Sequence, residues 1–388
     1  MPYKSTEANH YRGTMGQDGI GTRLQLTGEE KDRLFIGLLR EWWIMAVQGL
    51  TEVAGIDVAL KILKPYCQNM GESGYQKLIG ATGLKADDAP DLAVFSLGVL
   101  HVACSGGKVR IWSDEPDLAV AEITECFFKG DTKVACYAMC ELIPQNGVNG
   151  LNHDFESEMT ESIPWGNDAC RWRTARKDIR SCESPLKEVT LPSISRETMS
   201  FVSMACLGEM WANATRALID FSGPEGVSTI LLPRMRSSGR DFGKKLLSDI
   251  SGARKPELHI LDAIVLLNEL NRRECHLTNN ETSIGGEIVE CPFSDSPSEI
   301  CLQYQSFFDG FFEVMDPEYE FAYDQMMTKG DKTCHWTIRK KGEARGEKSM
   351  EEPSLDDPIK RLTNMFIDGE ITEEEFRKKL AVLKELKL

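Results

Sequence analysis

The side chains whose type and spacing in this chain could support chemistry are cysteines. Six of the twelve cysteines form two sets of three with nearly the same internal spacing. The first set is Cys126, Cys136 and Cys170, and the second set is Cys291, Cys301 and Cys334. Valine or alanine can fill a comparable volume, so packing alone does not explain why both sets are cysteine. Thiols act as nucleophiles when ionised, or as ligands for a soft metal ion.

The first set has a fourth cysteine close by, which points to a metal site. Cys136 and Cys140 are four residues apart in a predicted helix, so both sulfurs should lie on one face of it. Together with Cys126 and Cys170 they could bind zinc or iron, or an iron–sulfur cluster. Gln305 takes the place of Cys140 in the second set, so a four-cysteine site is expected only in the first.

The second set has neighbours that could support nucleophilic catalysis, in which a base activates the thiol. The predicted catalytic residues are Cys291, Cys301, Cys334, Asp331 and His335. His335 follows Cys334 directly, and adjacent residues of a strand point to opposite faces, so a surface position is the alternative for this histidine. Asp331 follows a glycine, which also suits a residue that forms a turn.

The two sets of cysteines belong to a repeat that organises most of the chain. Residues 168 positions apart match in the early part of each copy, as Trp43 matches Trp211. The offset falls to 165 and then to 164 further along the chain. Two homologous domains of ordinary size are therefore predicted, at residues 29–178 and 197–341, packed against each other as two subunits of a dimer would be.

Each copy is expected to begin with helices and to end with antiparallel strands. The apolar segment Leu34–Leu50 predicts a buried helix that stops at Gly55, and a second helix should end before Pro65. The predicted strands are Lys108–Trp112, Glu122–Phe127, Glu156–Thr160 and Ala169–Ala175 in the first copy, and Gly286–Phe293, Glu320–Thr328 and Thr333–Lys340 in the second. This order of elements predicts an α+β fold, with the helices of each copy packed on an antiparallel sheet.

Polar segments flank the two copies. Residues 1–28 form a polar tail, and residues 179–196 and 342–355 have the composition of linkers. Residues 356–388 predict a C-terminal helical hairpin with apolar side chains along one face. Such a short hairpin cannot bury its own apolar face, so it should pack on a second copy of the chain, on a protein partner or on the body of the protein.

Charge and hydropathy exclude several classes of partner. The formal net charge of −16 and the isoelectric point near 5.0 oppose binding to nucleic acid and to anionic membrane surfaces. The polar start of the chain lacks the apolar core of a secretory signal, and the longest apolar segment is shorter than the ~20 residues that span a bilayer. We therefore expect a cytoplasmic protein whose cysteines stay reduced.

The end of the second copy resembles a known family. Cys291-Pro292-Phe293, Cys301 and the segment Gly330–Trp336 are similar to the signature of the L-2-amino-thiazoline-4-carboxylic acid hydrolase-like family, and to vinyl-reductase-type small-molecule-binding domains. The first copy carries the same marks in weaker form, without the proline. Residues 356–388 resemble the SHOCT domain, a short C-terminal domain whose usual role is oligomerisation or partner docking.

The resemblance implies a ligand pocket between helices and sheet, and a reaction that opens a sulfur- and nitrogen-containing ring by hydrolysing a C–N bond. Two functions follow as expectations. The first is a cytoplasmic hydrolase that acts on a small heterocycle, with the second copy catalytic and the first structural or metal-binding. The second is a non-catalytic sensor of a small molecule or a metal ion that signals through the hairpin.

Overall fold

The computed structural model describes residues 28–70, 75–99, 108–114, 116–125, 133–179, 185–191, 193–250, 275–279, 283–289, 291 and 293–342. Four features predicted from the sequence lie wholly or almost wholly outside these residues. They are the polar tail up to residue 27, Cys126, the linker from residue 343 to 355 and the C-terminal hairpin at 356–388.

The first half of the chain contains helices followed by strands. Its helices are α1 (Gly28–Ala54), α2 (Ile56–Asn69), α3 (Tyr75–Thr82), α4 (Ala89–Ala93), α5 (Lys133–Tyr137) and α6 (Ile143–Leu151). Its strands are β1 (Val109–Asp114), β2 (Leu118–Ile123), β3 (Phe155–Glu161), β4 (Cys170–Arg176) and the short β5 (Lys187–Glu188). Two π-helical turns, Val94–Val99 and Ala138–Leu142, continue α4 and α5.

The second half follows the same order. Its helices are α7 (Arg196–Ser222), α8 (Pro224–Gly226), α9 (Leu232–Ile250) and α10 (Glu299–Met315), with a π-helical turn at Val227–Leu231. Its strands are β6 (Cys275–Asn279), β7 (Ser283–Ile288), β8 (Tyr319–Gln325) and β9 (Cys334–Lys340). Single 3-10 turns, Ile163–Trp165 and Met327–Lys329, lie in the two closing hairpins.

The strands form two antiparallel sheets with matching registers. The sheet orders are β3-β4-β2-β1-β5 and β6-β7-β9-β8. Ile123 lies opposite Cys170 in the first sheet, and Ile288 lies opposite Cys334 in the second. Helices together with antiparallel sheets confirm the α+β class.

Several predicted element boundaries are wrong. The second helix continues through Pro65, because buried Leu63 and Cys67 on either side of the proline anchor both halves of the helix in the core. The predicted strand at Glu122–Phe127 is instead Leu118–Ile123, in which small alternating side chains carry the buried face. The predicted linker after the first copy contributes β5, which pairs with β1.

The two long helices α1 and α7 pack against each other at the centre of the hydrophobic core. Trp42 of α1 lies among aromatic side chains of the second half, with its ring centroid 5.1 Å from each of Trp211, Tyr304 and Phe307. Trp42 is 1% exposed and Trp211 is fully buried. The core of the described residues is therefore continuous between the two halves.

Contacts between the halves recur at the repeat offset of 168. The Ser200 hydroxyl donates to the Asp32 carboxylate over 2.7 Å, and these two residues are themselves 168 positions apart. Glu52 binds Arg234, and Tyr66 donates to Asp220. Shifting Glu52 by 168 gives Asp220, and shifting Arg234 back by 168 gives Tyr66, so the second contact is the first with the partners exchanged. Reciprocal contacts of this kind are typical of an interface with two-fold symmetry.

None of the helices in the described part of the chain is long and apolar enough to cross a bilayer.

Candidate functional site

The three cysteines of the second copy lie close together beneath the closing hairpin. Cys291 follows β7, Cys301 lies in the first turn of α10, and Cys334 is the first residue of β9. The Cys334 sulfur accepts a hydrogen bond from the main-chain N–H of Met327, with a distance of 3.2 Å between nitrogen and sulfur. The Cys301 sulfur lies 3.2 Å from the hydroxyl oxygen of Thr328, the next residue in the same turn.

Cys334 is also hydrogen-bonded to Cys291. This hydrogen bond raises the pKa of Cys334 above its ordinary value, and burial raises it further. A raised pKa favours the neutral form of an acid, so Cys334 stays protonated at neutral pH. Cys291, its hydrogen-bond partner, is partly exposed. We call Cys291, Cys301 and Cys334 the thiol cluster.

The first copy repeats part of this arrangement. The Cys170 sulfur accepts a hydrogen bond from the N–H of Ile163 at 3.2 Å, as Cys334 does from Met327. The Cys136 sulfur lies 3.8 Å from the hydroxyl of Ser162, so the helical cysteine again contacts a hydroxyl in the hairpin loop. Valine or alanine could not accept these hydrogen bonds, which gives a structural reason for cysteine at both positions.

Asp331 forms a turn. Its carboxylate accepts the N–H of Met326 at 2.8 Å, which closes the loop before β9. Asn167 makes the equivalent contact in the first copy, where its side-chain oxygen accepts the N–H of Ser162 at 3.1 Å. The turn therefore needs an acceptor at this position rather than an acid, and the alternative interpretation from the sequence accounts for the observed contact.

His335 lies on the other face of the sheet from the thiol cluster. Both Cys334 and His335 belong to β9, where Cys334 is buried and His335 is partly exposed, as strand alternation predicts. The Nδ1 atom of His335 is 3.0 Å from the Asp324 carboxylate. Arg171 occupies the matching place in the first copy and binds Glu122 at 2.8 Å. The structure therefore does not bring His335 to the thiols as a base.

The predicted metal site of the first copy lies only partly within the described residues. Cys136, Cys140 and Cys170 are all buried, and Cys140 lies in the π-helical turn, where the i→i+5 bonding changes the alignment expected for an α-helix. Among the residues that the structure describes, no group of three or more His, Cys, Asp or Glu residues could hold a metal ion. Cys126 lies outside these residues, so the four-cysteine site stays a prediction.

Sequence reasoning missed a polar and aromatic corner of the first copy. Glu141 lies in the π-helical turn, and the rings of Tyr137 and Trp165 are 6.4 Å apart nearby. The sequence contains one indication of this corner, which is a difference between the copies. The second copy has Ser306 in place of Glu141, Leu302 in place of Tyr137 and Lys329 in place of Trp165.

Comparisons of the chain with protein-family models, with curated proteins and with solved structures found no match.

Proposed function

We propose that this protein is a sensor that binds a small sulfur- and nitrogen-containing ligand at the thiol cluster and signals through residues 356–388. One observation carries the proposal: Cys334 is held neutral beside the partly exposed Cys291, and His335 faces away from both. A neutral Cys334 thiol and a histidine on the other face of the sheet suit binding better than nucleophilic attack, which requires a thiolate. The proposal places the protein in the cytoplasm, where thiols remain reduced.

The proposal includes an architecture of two tandem homologous domains joined as a pseudo-dimer, followed by a C-terminal helical hairpin. The reciprocal contacts Glu52–Arg234 and Tyr66–Asp220 support the first part. The apolar face of the hairpin sequence supports a role in self-association or docking to a protein partner. In this scheme a ligand at the thiol cluster changes the state of the hairpin.

Hydrolysis of a C–N bond in such a heterocycle is the second candidate function. It is favoured by the hydrogen bond between Cys334 and Cys291, because a neutral thiol beside a second sulfur can donate to it and so help it carry the charge of a thiolate. Cys291 would be the nucleophile, and Cys334 would stabilise it rather than attack.

A single experiment separates the two candidates. L-2-amino-thiazoline-4-carboxylate is added to the full chain, and its binding is measured by calorimetry while its consumption is followed by chromatography. Binding without consumption supports the sensor, and consumption supports the hydrolase. The Cys291→Ser variant should lose either signal, whereas Cys126→Ser, at the matching place in the first copy, should keep it. No binding and no consumption would contradict both.

The signalling part is tested by light scattering. The mass of the full chain and of a chain that ends at residue 342 is measured with and without the same probe. An oligomeric state that changes with the probe only in the full chain supports self-association through the hairpin as the signal. The same oligomeric state in all four samples would rule out self-association as that signal.

A further inference from the structure

Tyr137, Glu141 and Trp165 form an aromatic and acidic corner on the first copy. Tyr137 and Glu141 are four residues apart on one continuous helix, which places them on neighbouring turns. The ring centroids of Tyr137 and Trp165 are 6.4 Å apart and their planes meet at 66°. Trp165 is 49% exposed, so the corner is open to solvent on one side.

Glu141 brings a poorly solvated charge to this corner. Burial raises the pKa of its carboxyl group, and the nearby Glu158 raises it further. One carboxylate oxygen accepts the main-chain N–H of Met159 at 2.7 Å. Among the described residues, the charged side chain that affects the pKa of Glu141 is this second carboxylate, which adds to the effect of burial instead of offsetting it.

The need for an acceptor at the N–H of Met159 does not by itself explain why residue 141 is a glutamate. Met159 lies in β3, at the edge of its sheet and beside a bulge, so its N–H needs an acceptor. A neutral glutamine would serve without the cost of burying a charge. The second copy has Ser306 in place of Glu141, and its Lys329 puts a cation in place of Trp165, so the corner is specific to the first copy.

We propose that Tyr137, Glu141 and Trp165 form a binding site for an organic ammonium cation. The faces of tyrosine and tryptophan rings attract such cations, and the Glu141 carboxylate adds direct charge pairing. The rings of Tyr137 and Trp165 meet at 66°, an angle that suits contact of both rings with one compact amine or quaternary ammonium group. This site lies in the first copy and does not depend on the thiol cluster.

The test uses tetramethylammonium chloride with the full chain and follows the methyl signal of the probe by ligand-observed NMR. We expect saturable binding that sodium chloride at equal ionic strength does not reproduce. Glu141→Gln keeps an acceptor for Met159 but removes the charge, and it should weaken binding about tenfold, as should Trp165→Leu. Glu158→Gln, which removes a more exposed neighbouring carboxylate, is the matched control and should change affinity less than twofold.

Equal weakening by Glu141→Gln and Glu158→Gln would overturn the proposal, because it would show attraction to the overall charge of −16 rather than a site. A response identical to that of sodium chloride would overturn it as well. Each variant is first checked for a native urea midpoint. If Glu141→Gln does not fold, the half-exposed Trp165→Leu decides the outcome, since truncating this side chain leaves the core intact.

Discussion

The Cys334 sulfur has two hydrogen-bond partners, and they assign it a role that packing does not require. It accepts from Met327 N–H and is hydrogen-bonded to Cys291, so it joins the 3-10 turn of the hairpin to the segment that follows β7. Cys170 makes the first of these contacts in the other copy. Cysteine at this position therefore stabilises the hairpin whether or not a ligand binds.

Replacing Cys334 by alanine should lower the free energy of unfolding by about 1–3 kcal/mol more than the same replacement of a cysteine that only packs. The reason is that the Met327 N–H loses its acceptor. Cys170→Ala should show the same excess. Cys67→Ala is the control, since the raised pKa of Cys67, about 12, has burial as its cause. Urea denaturation of the three variants measures the difference. Equal losses at all three positions would show that the sulfur acceptors add nothing.

Strand periodicity was enough to separate His335 from Cys334, and turn chemistry was enough to suggest the role of Asp331. The sequence could not show that the Cys334 sulfur meets Met327 and Cys291, since these contacts depend on how β9 docks on its neighbours. His335 lies on the other face of β9 from Cys334, as strand alternation predicted, and its proposed catalytic role stays a prediction.

At the scale of elements, helices α9 and α10 approach each other so closely that glycine is required. A Cβ atom added at Gly239 would lie 1.9 Å from the carbonyl oxygen of Phe307, and one added at Gly310 would lie 1.8 Å from that of Arg236. Both obstacles are main-chain atoms, which cannot rotate away. The two glycines therefore set the distance between the helices.

Gly239→Ala should destabilise the protein by about 1–3 kcal/mol or more, because the helices must separate to admit the methyl group. Gly37→Ala is the control: it lies within α1 with nothing within 4 Å of the added atom, and should stabilise by about 0.5–1 kcal/mol. Thermal unfolding measures both. A Gly239→Ala protein as stable as the parent would contradict the close approach.

Asp309 of α10 should make stability depend on pH. Burial raises its pKa to about 6 from 3.8, with Glu320 and Glu313 adding to the effect and Arg236 and Lys341 opposing it. Because the folded state binds the proton more tightly than the unfolded state, the contribution of Asp309 to stability falls as pH rises from about 4 to about 6. The loss is on the order of 2–3 kcal/mol.

Asp309→Asn should remove this pH dependence. Its free energy of unfolding should therefore rise relative to that of the parent between about pH 4 and about pH 6, and the difference should stay constant at higher pH. Asp241→Asn, an exposed carboxylate on α9, serves as the control. Urea midpoints between pH 4 and pH 8 measure the profiles. Parallel profiles for the parent and Asp309→Asn would contradict the raised pKa.

The apolar segment Leu34–Leu50 correctly predicted α1, and strand alternation predicted both closing hairpins. These patterns misplaced β2 and the end of α2, because the boundaries depend on tertiary anchors such as Cys67 rather than on the local residues. The π-helical turn that carries Glu141 has no sequence signature of its own, so the sequence shows that the copies differ at this corner but not how its side chains meet.

At the scale of the whole molecule, the contact between α1 and α7 ties the two halves together. Trp42 is almost fully buried among aromatic rings of the second half. The repeat predicted two tandem homologous domains packed as a pseudo-dimer, and this architecture stays a prediction. The exchanged pairs Glu52–Arg234 and Tyr66–Asp220 are contacts between the two halves that support it.

The segment 29–178 expressed alone should therefore form a homodimer, with α1 of one copy in the place that α7 occupies in the full chain. Light scattering measures its mass. Trp42→Ser should reduce the dimer to monomer or to insoluble protein, whereas a substitution of exposed Ile56 should not. A soluble, stable monomer of this segment would contradict the proposed pseudo-dimer.

The burial of Trp42 against Trp211 also constrains how the chain is made. During synthesis α1 leaves the ribosome long before α7, and at about 5–20 residues per second the 168 residues between equivalent positions take roughly 10–30 s. For that time the part of α1 that packs on α7, including Trp42, lacks its partner from the second half of the chain. The nascent protein thus passes through a stage in which it can pair with a neighbouring nascent chain, and the rate of translation through the second copy governs how often that happens.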